Sequence, residues 1–211
     1  MATPKLDRCC IELLKRIPDQ FRSSFTAGSG VMPRGNLLSA ETIVDYVNRA
    51  MQDLFGNFWQ STGGDVKKFI GLFPELVGIS EAVTLAAGNY VIASPYKNFK
   101  KLIGAVLSST NKFIKVKDSS LYTVYLSQEY TDYLPTRDNP AIIQVSQLLA
   151  CFPQNLTGSI KFHYIKVPLD PLTGGFLVQN GDTDSPFFDH WNKNICDIAY
   201  LKYLEETNQT T

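Results

Sequence analysis

Several features that commonly reveal a function are missing from this chain of 211 residues. No stretch approaches the roughly 18 consecutive apolar residues of a membrane span, since Pro74, Glu75 and Glu81 interrupt the most apolar region. The residues after Met1 lack the apolar core of a signal peptide. We therefore expect neither a membrane-spanning helix nor export.

Residues that carry most enzyme chemistry are also scarce. The only histidines are His163 and His190, and no serine lies in a Gly-x-Ser-x-Gly motif. Two isolated histidines cannot be ordered into a nucleophile, a base and an orienting group. We interpret His163 and His190 as surface or rim residues, and we expect no catalytic residues and no cofactor.

The four cysteines, Cys9, Cys10, Cys151 and Cys196, show no spacing typical of a zinc site. Adjacent Cys9 and Cys10 do not readily bridge each other. We expect reduced thiols in a cytosolic setting.

The charge of the chain is balanced, with 20 Lys and Arg against 20 Asp and Glu. Binding to nucleic acid or to an anionic membrane usually requires a cationic excess or patch, so this balance argues against both. The nearest approach to a patch is a set of lysines between residues 97 and 117. They are expected to be solvated strand residues, with contact to an acidic neighbour as the alternative. The set comprises Lys97, Lys100, Lys101, Lys112, Lys115 and Lys117.

Helical periodicity marks both ends of the chain. A short helix is predicted from Lys5 to Arg16 and a longer one from Ala40 to Trp59, capped by Ser39. The last helix is expected to begin at Pro186, after a cap at Asp184 or Ser185, and to extend to Glu205. Its predicted inward face consists of Phe187, Phe188, Trp191, Ile195, Ile198, Ala199 and Leu201. The outward face is predicted to hold Asp189, Lys193, Cys196, Asp197 and Tyr200.

Between these helices, short β-branched and aromatic segments alternate with turn residues. The predicted strands are 83–85, 90–92, 102–107, 113–117, 122–126, 142–145, 159–167 and 176–178. We predict an α+β fold in which the N-terminal and C-terminal helices pack together beside an antiparallel β-sandwich or barrel-like middle region. The predicted divisions are 1–65 for the N-terminal helices, 66–182 for the β-rich region and 183–211 for the C-terminal helix.

Two polar segments are candidate ligand sites. The flexible loop 23–36 contains Gly30 and Gly35 at phosphate-loop spacing, but Asn36 stands where that motif needs lysine. Ordering of this loop on a partner is the favoured interpretation. The acidic residues Asp170, Asp182, Asp184 and Asp189 lack calcium-loop spacing; turn and cap duties are expected, with an ion as the alternative.

A protein–protein contact is the remaining signal, because ten tyrosines are present and tyrosine concentrates binding energy at interfaces. Tyr200 is the favoured single residue, with a partly exposed packing role as the alternative. The full predicted contact set is Phe25, Met32, Arg34, Tyr200 and Tyr203.

Three stretches together resemble the head-to-tail connector, or neck ring, proteins of tailed bacteriophages. Residues 11–19 with the helix 43–51 resemble the paired N-terminal helices of these adaptors. The strand Ile160 to Val167, which leads into Pro168, and the closing helix 191–204 are similar to the corresponding family elements. The segment 184–188, which leads into this helix, resembles connector proteins of crAss-like short-tailed phages. The large β region departs from the simplest, mostly helical adaptors.

The resemblance implies a non-enzymatic virion subunit that assembles in the host cytoplasm. It would form a ring of about twelve copies in the neck, with its own copies and the portal or tail proteins as partners. DNA would pass through the ring without sequence-specific recognition. The loop 23–36 and the segment after Glu205 are expected to reach neighbouring subunits. The alternative is a β-sandwich binding module that recognises a host-surface carbohydrate or protein through Tyr and Trp.

The predicted docking of the last helix can be tested by replacing Trp191 with alanine. We expect the free energy of unfolding to fall by roughly 3–5 kcal/mol, because the substitution leaves a cavity in the core. Chemical denaturation measures this loss. A change below about 1 kcal/mol would contradict the docking of this helix.

Overall fold

The computed structural model describes residues 6–17, 40–86, 91–93, 96–108, 110–127, 134–146, 148–175, 177, 186–187 and 189–208. The chain divides into two compact units. One combines Met1–Leu76 with Val167–Thr211 and is called the helical unit, and the other, Val77–Lys166, is called the sheet unit. In the described ranges, no helix combines the length and apolarity needed to cross a membrane.

The helices are numbered in chain order. They are α1 (Leu6–Arg16), α2 (Ala40–Ser61), α3 (Val66–Leu72), α4 (Leu121–Ser127) and α5 (Asn192–Asn208), with 3-10 turns at Pro74–Leu76 and Asp189–Trp191. The strands are β1 (Val77–Ile79), β2 (Val83–Leu85), β3 (Val91–Ala93), β4 (Phe99–Leu107), β5 (Lys112–Lys117), β6 (Ala141–Val145), β7 (Leu148–Phe152) and β8 (Gly158–Lys166).

In the helical unit, α5 packs against both α1 and α2. The inward side of α2 carries a regular series of fully buried residues, namely Ile43, Val47, Ala50 and Met51, which recur at the spacing of one helix face. The predicted α+β class is confirmed, as is the packing of the chain's two helical ends. The cap predicted at Ser39 lies outside the described residues.

The start of the last helix differs from the prediction. Pro186 and Phe187 lie in a bend, and the helix proper begins at Asn192 after a 3-10 turn. Its buried positions are Ile195, Cys196, Ala199 and Tyr203, whereas Leu201 is 56% exposed. The predicted face was therefore rotated, because it was drawn through Phe187 and Phe188, which precede the helix. Asp184, Ser185 and Phe188 lie outside the described residues.

An aromatic cluster fills one end of the helical unit, around the previously unpredicted helix α3. Asp65 begins α3 by accepting hydrogen bonds from the backbone N–H groups of Lys67 and Lys68 at 2.8 and 3.2 Å. Trp191 is half-buried, and its ring centroid lies 4.7 Å from that of Phe58. The cluster comprises Phe55, Phe58, Trp59, Phe69, Phe73 and Trp191.

Trp191 also donates a hydrogen bond from Nε1 to Glu75 Oε1 at 3.1 Å. Because its ring is half-buried rather than enclosed, the cost of Trp191→Ala is expected near the lower end of the range given above, about 3 kcal/mol.

The sheet unit contains one mixed, curled sheet with strand order β1-β8-β4-β5-β6-β7-β3, in which β2 also pairs with β8. All pairs are antiparallel except β5 and β6, which are parallel. A parallel pair needs a crossover connection, and α4 lies within it. The predicted strand Tyr122–Leu126 is therefore wrong, since these residues form α4. Apart from Leu177, the predicted strand 176–178 lies outside the described residues.

The two faces of the sheet are covered differently. The concave core is apolar and includes Leu102, Ile142, Ile160 and Phe162. On the opposite side of β6 and β7, Tyr125 of α4 packs with Phe152, their ring centroids 5.4 Å apart. The segment 122–126 resembled a strand because it is rich in aromatic and β-branched residues, although only Tyr125 of this segment is buried in α4.

The predicted β region of 66–182 is longer than the unit observed. The segment 66–76 contributes α3 and a 3-10 turn to the helical unit, and the described residues after Lys166 also belong there. The sheet unit is thus a single continuous segment between the two parts of the helical unit.

Two glycines allow a matched test of packing. A Cβ at Gly78 would lie 2.7 Å from Cζ of Tyr164, whose side chain is buried. We expect Gly78→Ala to cost about 1–3 kcal/mol through overpacking. At Gly56, within α2, a Cβ meets nothing within 4 Å, so Gly56→Ala should stabilise by about 0.5–1 kcal/mol. Thermal and urea unfolding measure both changes in the free energy of unfolding. If both substitutions stabilised or both destabilised the protein, the result would contradict this packing.

Candidate functional site

The end of α5 is fastened to α2 by one carboxylate. Glu206 accepts a hydrogen bond from the Tyr46 hydroxyl at 2.7 Å and another from Arg49 Nη1 at 2.8 Å. Arg49 also forms an ion pair with Asp45, one turn earlier in α2. Burial, followed by the hydrogen bond to Glu206, raises the pKa of Tyr46 well above its usual value. Tyr46 therefore stays protonated and donates to Glu206 throughout the neutral range.

Two further ion pairs join the same helices. Lys202 on α5 pairs with Asp53 on α2, and Arg16 at the end of α1 pairs with Asp197 on α5 at 2.5 Å. Lys202 is partly covered, as expected of a lysine that lays its stem along apolar surface. The hydrogen bond to Asp197 raises the pKa of Arg16 further. Exposed pairs of this kind add little energy individually, but together they fix the position of α5 along α1 and α2.

A buried amide attaches a third segment to α2. Asn48 is fully buried; its Nδ2 donates to the carbonyl of Val44 at 2.9 Å, and its Oδ1 accepts from the Leu177 N–H at 3.1 Å. Because a buried amide requires partners, Asn48 holds the backbone at residue 177 against the middle of α2.

The four cysteines, all in the described part of the chain, are buried as free thiols, and the predicted cytosolic setting stays a prediction. Cys9 Sγ donates to Asn192 Oδ1 at 3.3 Å, and Cys196 Sγ donates to the Cys9 carbonyl at 3.6 Å. The hydrogen bond from Cys9 lowers the pKa of Cys196, whereas burial raises the pKa of Cys151 to about 12. The first pair is part of the α1–α5 contact.

The five residues of the predicted contact surface are not brought together by the described structure. Phe25, Met32 and Arg34 lie outside the described residues. Tyr203 is buried, with its ring edge on Tyr46 at a centroid distance of 6.2 Å. Its ring is therefore covered within its own chain, which corrects its prediction as a surface contact.

Tyr200 is half-buried and stacks on Tyr203 at a centroid distance of 6.1 Å. Exposed leucines in the same unit, which the sequence did not single out, extend the apolar surface. They are Leu72 (60% exposed), Leu172 (77%) and Leu201 (56%). Leu201 follows Tyr200 in α5 and points about 100° away from it around the helix. Leu201, with the half-buried Tyr200 beside it, is the best-described candidate for contact with another molecule.

The residues considered for chemistry have structural surroundings. His163 is half-buried on β8 beside Phe113, and His190 is exposed next to Trp191. Asp170 accepts hydrogen bonds from the backbone of Leu172 and Thr173 at 2.9 and 2.6 Å, and the bond from Thr173 most strongly lowers its pKa. This is the turn role expected of it.

The structure describes the side chain of only one of the four residues of the acidic cluster, Asp170. Asp182, Asp184 and the side chain of Asp189 lie outside the described residues. Within the described ranges, no group of three or more His, Cys, Asp or Glu residues could hold a metal ion.

The attachment of α5 can be tested at its last turn. Replacing Glu206 with glutamine removes the charge that bonds to Tyr46 and Arg49, and we expect the free energy of unfolding to fall by about 1 kcal/mol. Glu205→Gln is the matched control, since Glu205 is exposed and forms no hydrogen bond or ion pair among the described residues. Urea unfolding of both variants measures the difference, and equal stabilities would contradict this role of Glu206.

No protein-family model matches the chain, and no curated protein is detectably similar to it.

Proposed function

We propose that the chain is a non-enzymatic virion protein that forms a ring in the head-to-tail connector of a tailed bacteriophage. The observation that carries this proposal is the clasp of α1, α2 and α5, through which both ends of the chain form one helical unit. The paired N-terminal helices, the strand that ends the β region and the closing helix are the elements of the resemblance. In this chain, α1, α2, β8 and α5 correspond to them.

The helical unit also carries apolar side chains that a neighbouring subunit could cover. Closing a ring requires two different faces of each subunit, one for each neighbour. Leu201 with Tyr200 lies on α5, whereas Leu72 lies at the end of α3. Leu72 and Leu201 are only 60% and 56% exposed, so burying the rest of each in a neighbour would contribute about 1–2 kcal/mol, which favours assembly over exposure to water.

The rival proposal, a carbohydrate-binding β module, receives less support from the positions of the aromatic residues. It requires tryptophan and tyrosine as a platform on the β region. Trp59 and Trp191, however, belong to the aromatic cluster of the helical unit. Among the described tyrosines of the sheet unit, Tyr125 and Tyr164 are buried and Tyr96 and Tyr122 are half-buried, so none is fully exposed.

The two proposals differ in assembly state. Native mass spectrometry and sedimentation of the full chain over a range of concentrations, together with electron microscopy of purified particles, measure the copy number. A ring of about twelve copies, in solution or on the particle, is the result expected from the resemblance. A monomer at all concentrations, absent from any ring on particles and stabilised thermally by a sugar, would contradict the ring and favour the binding module.

A surface substitution tests the contact face. Leu201→Lys places a charge at an exposed helix position, so we expect normal folding by circular dichroism and a shift from ring to smaller species. Leu148→Lys is the matched control, because Leu148 is 46% exposed but lies in the sheet unit. Intact rings with Leu201→Lys would exclude this part of α5 from the subunit interface.

A further inference from the structure

The neutral charge of the whole chain conceals a strong division between its two units. The sheet unit, 77–166, contains nine Lys and Arg residues against five Asp and Glu, a formal charge of +4. The remaining residues contain eleven against fifteen, a formal charge of −4. The overall balance therefore does not describe the surface that a ligand of the sheet unit would meet.

The cations of the two units also differ in their partners. Arg16, Arg49 and Lys202 of the helical unit each pair with a carboxylate. In the sheet unit, six exposed lysines form no ion pair with any described residue. They are Lys97, Lys100, Lys101, Lys115, Lys117 and Lys161. Of these six, Lys101 lies near enough to Asp118 to lower the pKa of that carboxyl. Like charges repel each other in the folded protein, so an anionic ligand would relieve a cost that this one carboxylate offsets only in part.

The strand register places four of these lysines on the convex face of the sheet. On β8, Lys161 and His163 share this face, opposite to buried Phe162. Lys161 lies opposite Val106 of β4, which in turn lies opposite Phe113 of β5. Lys115 and Lys117 follow Phe113 at alternate positions, and Lys101 lies opposite Ile165. Lys161 and Lys115 therefore stand on either side of β4 with an offset of two residues along it, about 12 Å apart.

An exposed aromatic ring lies among these lysines. Phe113 is 48% exposed, and a Cβ at Gly104 would lie only 2.2 Å from its Cζ. The missing side chain at Gly104 thus lets the end of the ring rest on the sheet. The Phe113 and His163 ring centroids are 6.0 Å apart in an edge-to-face arrangement. Ile79, 60% exposed, lies opposite His163 on β1.

We propose that this convex face, formed by Lys101, Phe113, Lys115, Lys117, Lys161 and His163, binds single-stranded nucleic acid without sequence preference. Lysine ammonium groups would contact successive phosphates, and the Phe113 ring would stack with a base. Single-strand binding generally combines a cationic surface with aromatic rings in this way. The face is complete in one copy of the chain, so binding does not depend on ring assembly.

An acidic protein is the other class of polyanion that a cationic face could take. The exposed ring in the middle of the lysines favours nucleic acid, because the carboxylate side chains that give an acidic peptide its charge do not stack on Phe113, whereas every base has a π-face. The described carboxylates of the unit are Glu81, Asp118 and Asp138, all exposed. Asp118 accepts a hydrogen bond from the Ser120 N–H at 2.8 Å, which most strongly lowers its pKa. The Asp118 carboxylate is therefore held in the turn that follows β5.

The test is fluorescence anisotropy of the full chain with a labelled oligothymidine of about 20 nucleotides, a length that exceeds the site of a single small barrel. Binding should weaken steeply between about 50 and 200 mM salt, because phosphate contacts release counterions. The double variant Lys115→Glu with Lys161→Glu should bind at least about tenfold more weakly, with a salt slope reduced by about 1.4. Phe113→Ala should bind about fivefold more weakly at an unchanged salt slope.

The matched control is Lys67→Glu with Lys68→Glu, which changes the charge equally at two exposed lysines of α3. Its affinity should match that of the unchanged chain, and circular dichroism should show all variants folded. The proposal is overturned by absence of binding at low salt or by equal losses in the two double variants. Displacement of the oligonucleotide by polyglutamate at equal charge concentration, with no effect of Phe113→Ala, would also overturn it and assign the face to an acidic protein.

Discussion

The packing of α5 against α1 and α2 is the constraint on which the helical unit depends. It joins Arg16 with Asp197 and Tyr46 with Glu206, pairs that are separated by most of the chain. The apolar contact of Ile195, Ala199 and Tyr203 supplies most of the burial, and the ion pairs select one position along it. Because charged groups that fit in only one arrangement specify register more than they add energy, this clasp has one preferred geometry.

The same constraint makes the sheet unit an insertion. The chain leaves the helical unit at Leu76 and returns at Val167, so every β-strand lies within one continuous segment. Inside it, the sheet curls toward a half-barrel, and the parallel pair of β5 and β6 requires the crossover that contains α4. The concave side is filled by apolar side chains, whereas lysines remain on the convex side.

The long elements of this fold could be predicted from the sequence, because each has one buried and one exposed side along its whole length. The helix α2 and strands β4, β5 and β8 were found because their apolar residues repeat over several turns or pleats. Short elements were predicted less consistently: β2 was found at its observed bounds, whereas β1 and β7 were missed. The helix α4 was wrongly predicted as a strand because it is rich in aromatic and β-branched residues. Which residues of α5 face inward could not be predicted without knowing where the helix begins. Its 3-10 turn at Asp189–Trp191 has no clear signal in sequence.

The candidate surfaces were less accessible to prediction. Tyr203 could not be distinguished from Tyr200 by composition, because only the docking of α5 decides which ring is covered. The division of charge between the units could not be found until their boundaries at residues 76 and 167 were known. Phe113 and Lys161 are 48 positions apart in the chain and become neighbours only through the register of β4.

The interrupted path of the helical unit also bears on synthesis. The sheet unit is continuous and can fold once its last strand has left the ribosome, since domains generally fold as units during translation. The helical unit has to wait for α5, the final helix, before Ile43 and Val47 of α2 are covered. The nascent chain therefore exposes the apolar side of α2 through most of its synthesis. A chaperone that covers this surface would be most useful during that interval.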